Sequence, residues 1–84
     1  MEICEIWSIA PERIGAFLRS IGGLRREGED VYVFEGCEVR LTRLADRTLG
    51  RVSLPRTELR FSGEEEATRR IYRAFFLNFL SEGG

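Results

Sequence analysis

The chain has 84 residues, of which 43% are apolar and 32% are charged, and its formal net charge is −1. This length predicts one domain, residues 1–84, and the apolar content is too high for a disordered chain. The small net charge argues against a protein that binds polyanions by bulk electrostatics.

The composition also excludes most catalytic sites. All 13 basic residues are arginine, and the chain contains neither histidine nor lysine. It therefore lacks a base that titrates near neutral pH and an amine for Schiff-base chemistry. Nucleotide-binding glycine motifs and the nucleophile elbow are absent too, and two cysteines without a histidine make a poor metal site. We expect a protein that is not an enzyme and that uses no cofactor and no metal.

Two further expectations concern source and location. The absence of glutamine and lysine and the single asparagine, Asn78, reflect a GC-rich genome or, alternatively, a thermophilic source. The first residues show no basic segment followed by an apolar stretch, and no apolar run approaches the ~18 residues of a membrane span. We expect a cytoplasmic protein that does not associate with membranes.

The first predicted element is a strand over residues 2–9. Apolar residues occupy both sides of its two-residue alternation: Ile3, Trp7 and Ile9 on one, Cys4 and Ile6 on the other. This pattern is typical of a strand covered on both faces, and it predicts an inner strand. Cys4, like Cys37 further along, is interpreted as a buried and inert thiol, with a disulfide between the two as the alternative.

A helix is predicted next. Pro11 suits a first helical turn, and apolar residues then recur at the spacing of one helical face: Ile14, Phe17, Leu18 and Ile21. Gly22 and Gly23 should end this helix, because glycine readily adopts the left-handed conformation that closes it.

Residues 24–62 change to a two-residue period with frequent turn residues, which is typical of an antiparallel meander. We predict strands at residues 24–27, 31–35, 37–44 and 48–54, with turns at Gly36 and at residues 45–47. Val52 and Leu54 should face inward. Pro55 should break or bend the last strand, because proline cannot donate to a strand ladder. Residues 57–61 are then either a bent continuation or a separate edge strand.

The last predicted element is a helix from a capping box, Ser62 with Glu65, through Leu80 to a stop at Gly83. One apolar stripe should face the sheet: Ala67, Ile71, Phe75 and Phe79. Together the elements predict an α+β fold. We expect a two-layer sandwich of order β-α-β-β-β-β-α, with a mainly antiparallel sheet and both helices on one of its faces.

A second apolar surface on this helix carries the main functional hypothesis. Phe76, Leu77 and Leu80 fall on the outer side of its second half, and one sheet cannot bury a helix all round. Either they tuck beneath the first helix or a loop, or they form an interface. Exposed apolar patches usually mark partner surfaces, and two-fold homodimers are the commonest assemblies. We therefore favour self-association, or association with another protein, through these three residues.

The alternative hypothesis is a nucleic-acid-binding module. Arg40, Arg51 and Arg60 are predicted to project from the open face of the sheet, where they could contact phosphates. Glu38 and Glu58 alternate with them, however, and cross-strand pairs of opposite charge are ordinary on sheet surfaces. We therefore regard nucleic acid as the less favoured partner.

Overall fold

Five strands and two helices make up residues 1–80, the part of the chain that the computed structural model describes. In chain order they are β1 Glu2–Trp7, α1 Pro11–Ser20, β2 Leu24–Arg25, β3 Val31–Phe34, β4 Cys37–Leu49, β5 Val52–Gly63 and α2 Glu65–Phe79. The strands form one antiparallel sheet in the order β1-β5-β4-β3-β2. The predicted α+β fold and element order are confirmed, while the predicted helix stop at Gly83 lies outside the described residues.

The core lies between the sheet and the two helices. The stripe of α2 that was predicted to face the sheet is buried throughout: Ala67, Ile71, Phe75 and Phe79. Phe75 is completely buried, and its ring packs edge-on against Trp7 with 4.9 Å between centroids. The two helices meet where Phe17 of α1 contacts Phe79, with ring centroids 5.5 Å apart.

Helix α1 packs on β3 through its predicted apolar face. Ile14 and Leu18 are completely buried, and an added Cβ at Gly15 would overlap the phenol of Tyr32. A glycine is therefore needed where α1 comes closest to the sheet. The helix ends as predicted: Gly22 has a φ of +101°, and Gly23 N–H donates to the Leu18 carbonyl at 2.9 Å.

The prediction of β1 as an inner strand is wrong. β1 pairs only with β5 and forms one edge of the sheet. Its helix-facing side carries Trp7, which is buried, whereas Cys4 and Ile6 are exposed on the opposite face. The apolar pattern on both sides of the strand thus arises from exposed residues and not from a second covering layer.

The predicted turn at residues 45–47 is wrong as well, because β4 and β5 form one long hairpin that turns at Gly50. Between the pairs Leu44–Arg56 and Arg47–Leu54, two residues of β4 lie opposite Pro55 alone. This β-bulge leaves Pro55 without a ladder hydrogen bond to donate, so β5 passes through the proline unbroken. Residues 57–61 are therefore a continuation of the same strand.

The unbroken strand also reverses the predicted orientation of Val52 and Leu54. Leu59 and Phe61 are buried beneath the helices, so the strict alternation of β5 places Val52 and Leu54 on the uncovered face. Val52 is 55% exposed. We call residues 45–55, which pair only with each other beyond the bulge, the arm.

The predicted capping box at the start of α2 does not form. Ser62 lies within β5, opposite Glu2 and Glu38. The N-cap residue is Glu64, which makes no side-chain capping bond and whose N–H donates to the Gly36 carbonyl at 2.8 Å. Ser62 pairs within the sheet because β5 continues two residues beyond Phe61, the last apolar residue of its alternation.

Candidate interaction surface

A groove runs along the free side of β1, between that strand and the C-terminal half of α2. Its volume is about 490 Å³, and it is lined by Glu5, Ile6, Trp7, Phe76 and Leu80. Trp7 packs edge-on against Phe76, with ring centroids 5.9 Å apart, and this contact fixes the base of the groove. All lining residues except Glu5 are apolar, so the groove suits an apolar occupant.

The outer side of α2 forms one wall of this groove and continues beyond it. Phe76 is half-buried against Trp7, whereas Leu77 is 60% exposed and Leu80 is 57% exposed. Within residues 1–80, neither α1 nor a loop covers these two leucines. We call Phe76, Leu77 and Leu80 the helix patch. The structure brings the three predicted residues together on one continuous surface.

A single carboxylate sits at the polar end of the groove. Glu5 lies on the helix-facing side of β1, where its two oxygens accept hydrogen bonds from Trp7 Nε1 and from the Tyr72 hydroxyl, each at 2.9 Å. Burial, together with the bond to Glu5, raises the pKa of Tyr72 to about 12. The phenol therefore remains a donor at neutral pH, and the network holds β1 against α2.

Ile6 is the groove residue whose role the sequence interpretation missed, since it was assigned to a covered face. It is 50% exposed on the edge strand. One signal could have found it: both helices are predicted on the same face of the sheet, which leaves the other face without a covering element. Apolar residues on the other side of β1 therefore have no element to cover them.

The three arginines of the alternative hypothesis do not form one patch. Arg40 and Arg60 are cross-strand neighbours on the uncovered face, as predicted. Each has an acidic neighbour, however, with Glu29 3.6 Å from Arg40 and Glu2 3.9 Å from Arg60. Arg51 lies away from both, in the turn at the tip of the arm. The charges of Arg40 and Arg60 are therefore partly compensated by these carboxylates.

The two cysteines differ in their environments. Cys37 is buried as predicted, and burial raises the pKa of its thiol. Cys4 is exposed, so the prediction that both thiols are buried is wrong for this residue. Its side chain points to the uncovered face of the edge strand, opposite Arg60. An apolar alternation alone could not distinguish the covered from the uncovered face.

Neither a metal centre nor a membrane-spanning helix is found in the described part of the chain. Within residues 1–80, no cluster of three or more cysteine, aspartate or glutamate side chains could hold a metal ion. Neither described helix is long and apolar enough to cross a membrane.

Comparison with known proteins places the chain in a family. No curated protein matches its sequence significantly. Residues 2–84, nearly the whole chain, match the family described as archaeal MoaD-like protein. The chain therefore belongs to the archaeal MoaD-like protein family.

Proposed function

We propose that this chain is an interaction domain without catalytic activity of its own, and that it forms a homodimer through the helix patch on α2. One observation carries the proposal. Leu77 and Leu80 are both more than half exposed, and Leu80 lines an apolar groove that no described element fills. Large apolar side chains clustered around a groove are costly to hydrate and usually mark a partner surface.

The chemistry of the surface favours a second copy as the partner. A two-fold axis brings the same patch together from both subunits, so an apolar patch is complementary to itself, whereas a charged patch would repel its copy. The three residues of the helix patch carry no charge. Arg40 and Arg60, on the uncovered face of the sheet, already have acidic neighbours within one chain.

The direct test replaces Leu77 and Leu80 with glutamate. The two carboxylates would have to be desolvated without partners in the dimer, which costs far more than a typical surface substitution. We expect sedimentation to show a dimer for the unmodified protein and a monomer for the double variant, with unchanged circular dichroism.

Leu24→Glu with Leu49→Glu is the matched control, because these leucines are also exposed but lie away from the groove. This pair should leave the dimer intact. An unmodified chain that sediments as a monomer at every concentration would refute the proposal. Salt-sensitive binding of nucleic acid that is lost in Arg40→Ala with Arg60→Ala would favour the alternative function instead.

A further inference from the structure

Strand β1 presents a row of unused backbone hydrogen-bonding groups along the groove. Met1 and Gly63 exchange both of their backbone bonds, at 2.8 and 3.1 Å. The β1–β5 register is continuous, and paired residues in an antiparallel ladder alternate between bonded and unbonded. The N–H and C=O groups of Glu2, Cys4 and Ile6 therefore point away from β5, outward from the sheet.

The opposite edge of the sheet is far less suited to pairing. β2 has only two residues, Leu24–Arg25. Arg25 forms an ion pair with Asp30 at 3.0 Å, and the following Arg26 pairs with Glu38 at 2.9 Å. Short length and flanking charges are the usual ways in which proteins protect a sheet edge. The six-residue β1 contains no proline and no bulge, so it is the edge that remains open.

Glu5 is the residue of β1 expected to oppose pairing with another strand, because an inward-pointing charge on an edge strand commonly prevents such pairing. Here both carboxylate oxygens already accept bonds from groups of their own subunit, Trp7 and Tyr72. Covering the edge would therefore leave no oxygen of Glu5 without a donor.

An added antiparallel strand can replace water on all the outward groups of β1, and one symmetric register satisfies all of them. If Cys4 pairs with Cys4 of a second copy, Glu2 pairs with Ile6 of the copy and Ile6 with its Glu2. A register centred on Ile3 or Glu5 leaves an outward residue of the strand without a partner. The register centred on Glu5 would also place two carboxylates opposite each other, which is destabilising.

We propose that the homodimer forms by antiparallel pairing of β1 with β1 of the second copy, about a two-fold axis at Cys4. The inference rests on the proposed dimer and specifies how it is built. The two sheets merge into one, and the grooves beside α2 lie next to the shared strands. Continuity between the open edge and the helix patch lets one partner cover both.

Cys4 itself provides the first test. Bonded residues across an antiparallel pair have Cα atoms about 5.5 Å apart, within the range of a disulfide. Diamide should therefore link two Cys4 thiols of the full chain, which lose two electrons and two protons to the reagent as it becomes the hydrazine. We expect a covalent dimer at a rate independent of protein concentration. Cys4→Ser should dimerise but not cross-link.

A proline at the same position tests the hydrogen bonds. The N–H of Cys4 points outward, so Cys4→Pro removes no bond to β5, and edge strands tolerate proline in that orientation. We expect the variant to keep its circular dichroism and to raise the dimer dissociation constant about tenfold or more, because both symmetry-related bonds are lost. Cys4→Ser is the matched control and should leave the constant unchanged.

The outcomes separate this inference from the proposed function. A dimer that Leu77→Glu with Leu80→Glu dissociates, but that neither cross-links through Cys4 nor weakens in Cys4→Pro, would retain the helix patch and overturn pairing through β1. A chain that is monomeric under all conditions would overturn both. If Cys4→Pro unfolds, the cross-linking result decides alone, because the native cysteine is unchanged in that experiment.

Discussion

The two halves of the β4–β5 hairpin share the same strands but differ in almost every other respect. Residues 37–44 and 56–63 lie in the middle of the sheet, with β3 and β1 on either side and helices above. Val39, Leu41, Leu59 and Phe61 are buried there. Beyond the bulge, the arm has no neighbouring strand, and Leu49 and Val52 are more than half exposed.

This contrast shows that the backbone hydrogen-bond ladder and the hydrophobic core contribute separately to the structure of the hairpin. The ladder continues through the arm to the pair Leu49–Val52 without any layer to cover it. An isolated two-stranded hairpin is marginally stable in water, so the arm depends on the anchored half for its structure. Substitutions should therefore be costly on the sheet side of the bulge and mild beyond it.

The largest effect is expected for Phe75→Ala. Phe75 is completely buried and contacts Trp7, Phe61 and Phe79, so it joins α2 to the covered half of the hairpin. Its truncation removes apolar burial and leaves a cavity, which should lower the free energy of unfolding by about 3 to 5 kcal/mol. Urea denaturation followed by circular dichroism measures this. A midpoint near that of the unmodified protein would contradict the assigned packing.

A pair of identical substitutions compares the two halves directly. Val39 is completely buried and Val52 is exposed. Val39→Ala should cost about 2 kcal/mol through lost methyl burial and the residual cavity. Val52→Ala should cost less than about 0.5 kcal/mol, as surface changes usually do. Equal losses in the two urea titrations would show that the arm is covered, either within the chain or by a second copy.

The fold was predictable from sequence wherever one element covers another. The stripe on α2 was recognised because Ala67, Ile71, Phe75 and Phe79 recur at helical spacing and face one sheet. The incorrect predictions fall mainly in parts of the sheet that no helix covers. Around Pro55 the apolar alternation is lost, although the strand ladder continues. The sequence pattern therefore predicted a turn at residues 45–47 and a break at Pro55. A bulge depends on its partner strand and leaves no periodic trace in one strand alone.

Only part of the candidate interaction surface was predictable from the sequence, for the same reason. The helix patch followed from a helix that is apolar nearly all round, which can be recognised within one element. Ile6 and the open edge depend on the order of the strands, and that order places β1 beside β5 through contacts distant in sequence. The alternation of β1 could not show whether a second layer existed. Cys4 was assigned to the interior for this reason.

The smallest expected difference in stability is between substitutions of Thr57, at the boundary of the covered half, and Thr48, in the arm. Thr57 is the completely buried residue of β5 nearest to the arm, and its hydroxyl donates to the Ile9 carbonyl at 2.6 Å. Thr57→Val keeps the side-chain shape but leaves a buried carbonyl without its donor, which should cost about 1 kcal/mol. Thr48, opposite Ser53 in the arm, is exposed, so Thr48→Val should cost nothing measurable.

Valine suits a strand at least as well as threonine, so strand propensity cannot explain a loss confined to Thr57. Urea midpoints at a constant m-value isolate stability from changes in the unfolded state. A loss of stability in Thr57→Val alone would place the boundary of the cooperative core between Thr57 and the bulge. Equal losses at Thr57 and Thr48 would mean that the arm is buried in solution, and the contrast between the two halves would then belong only to the isolated chain.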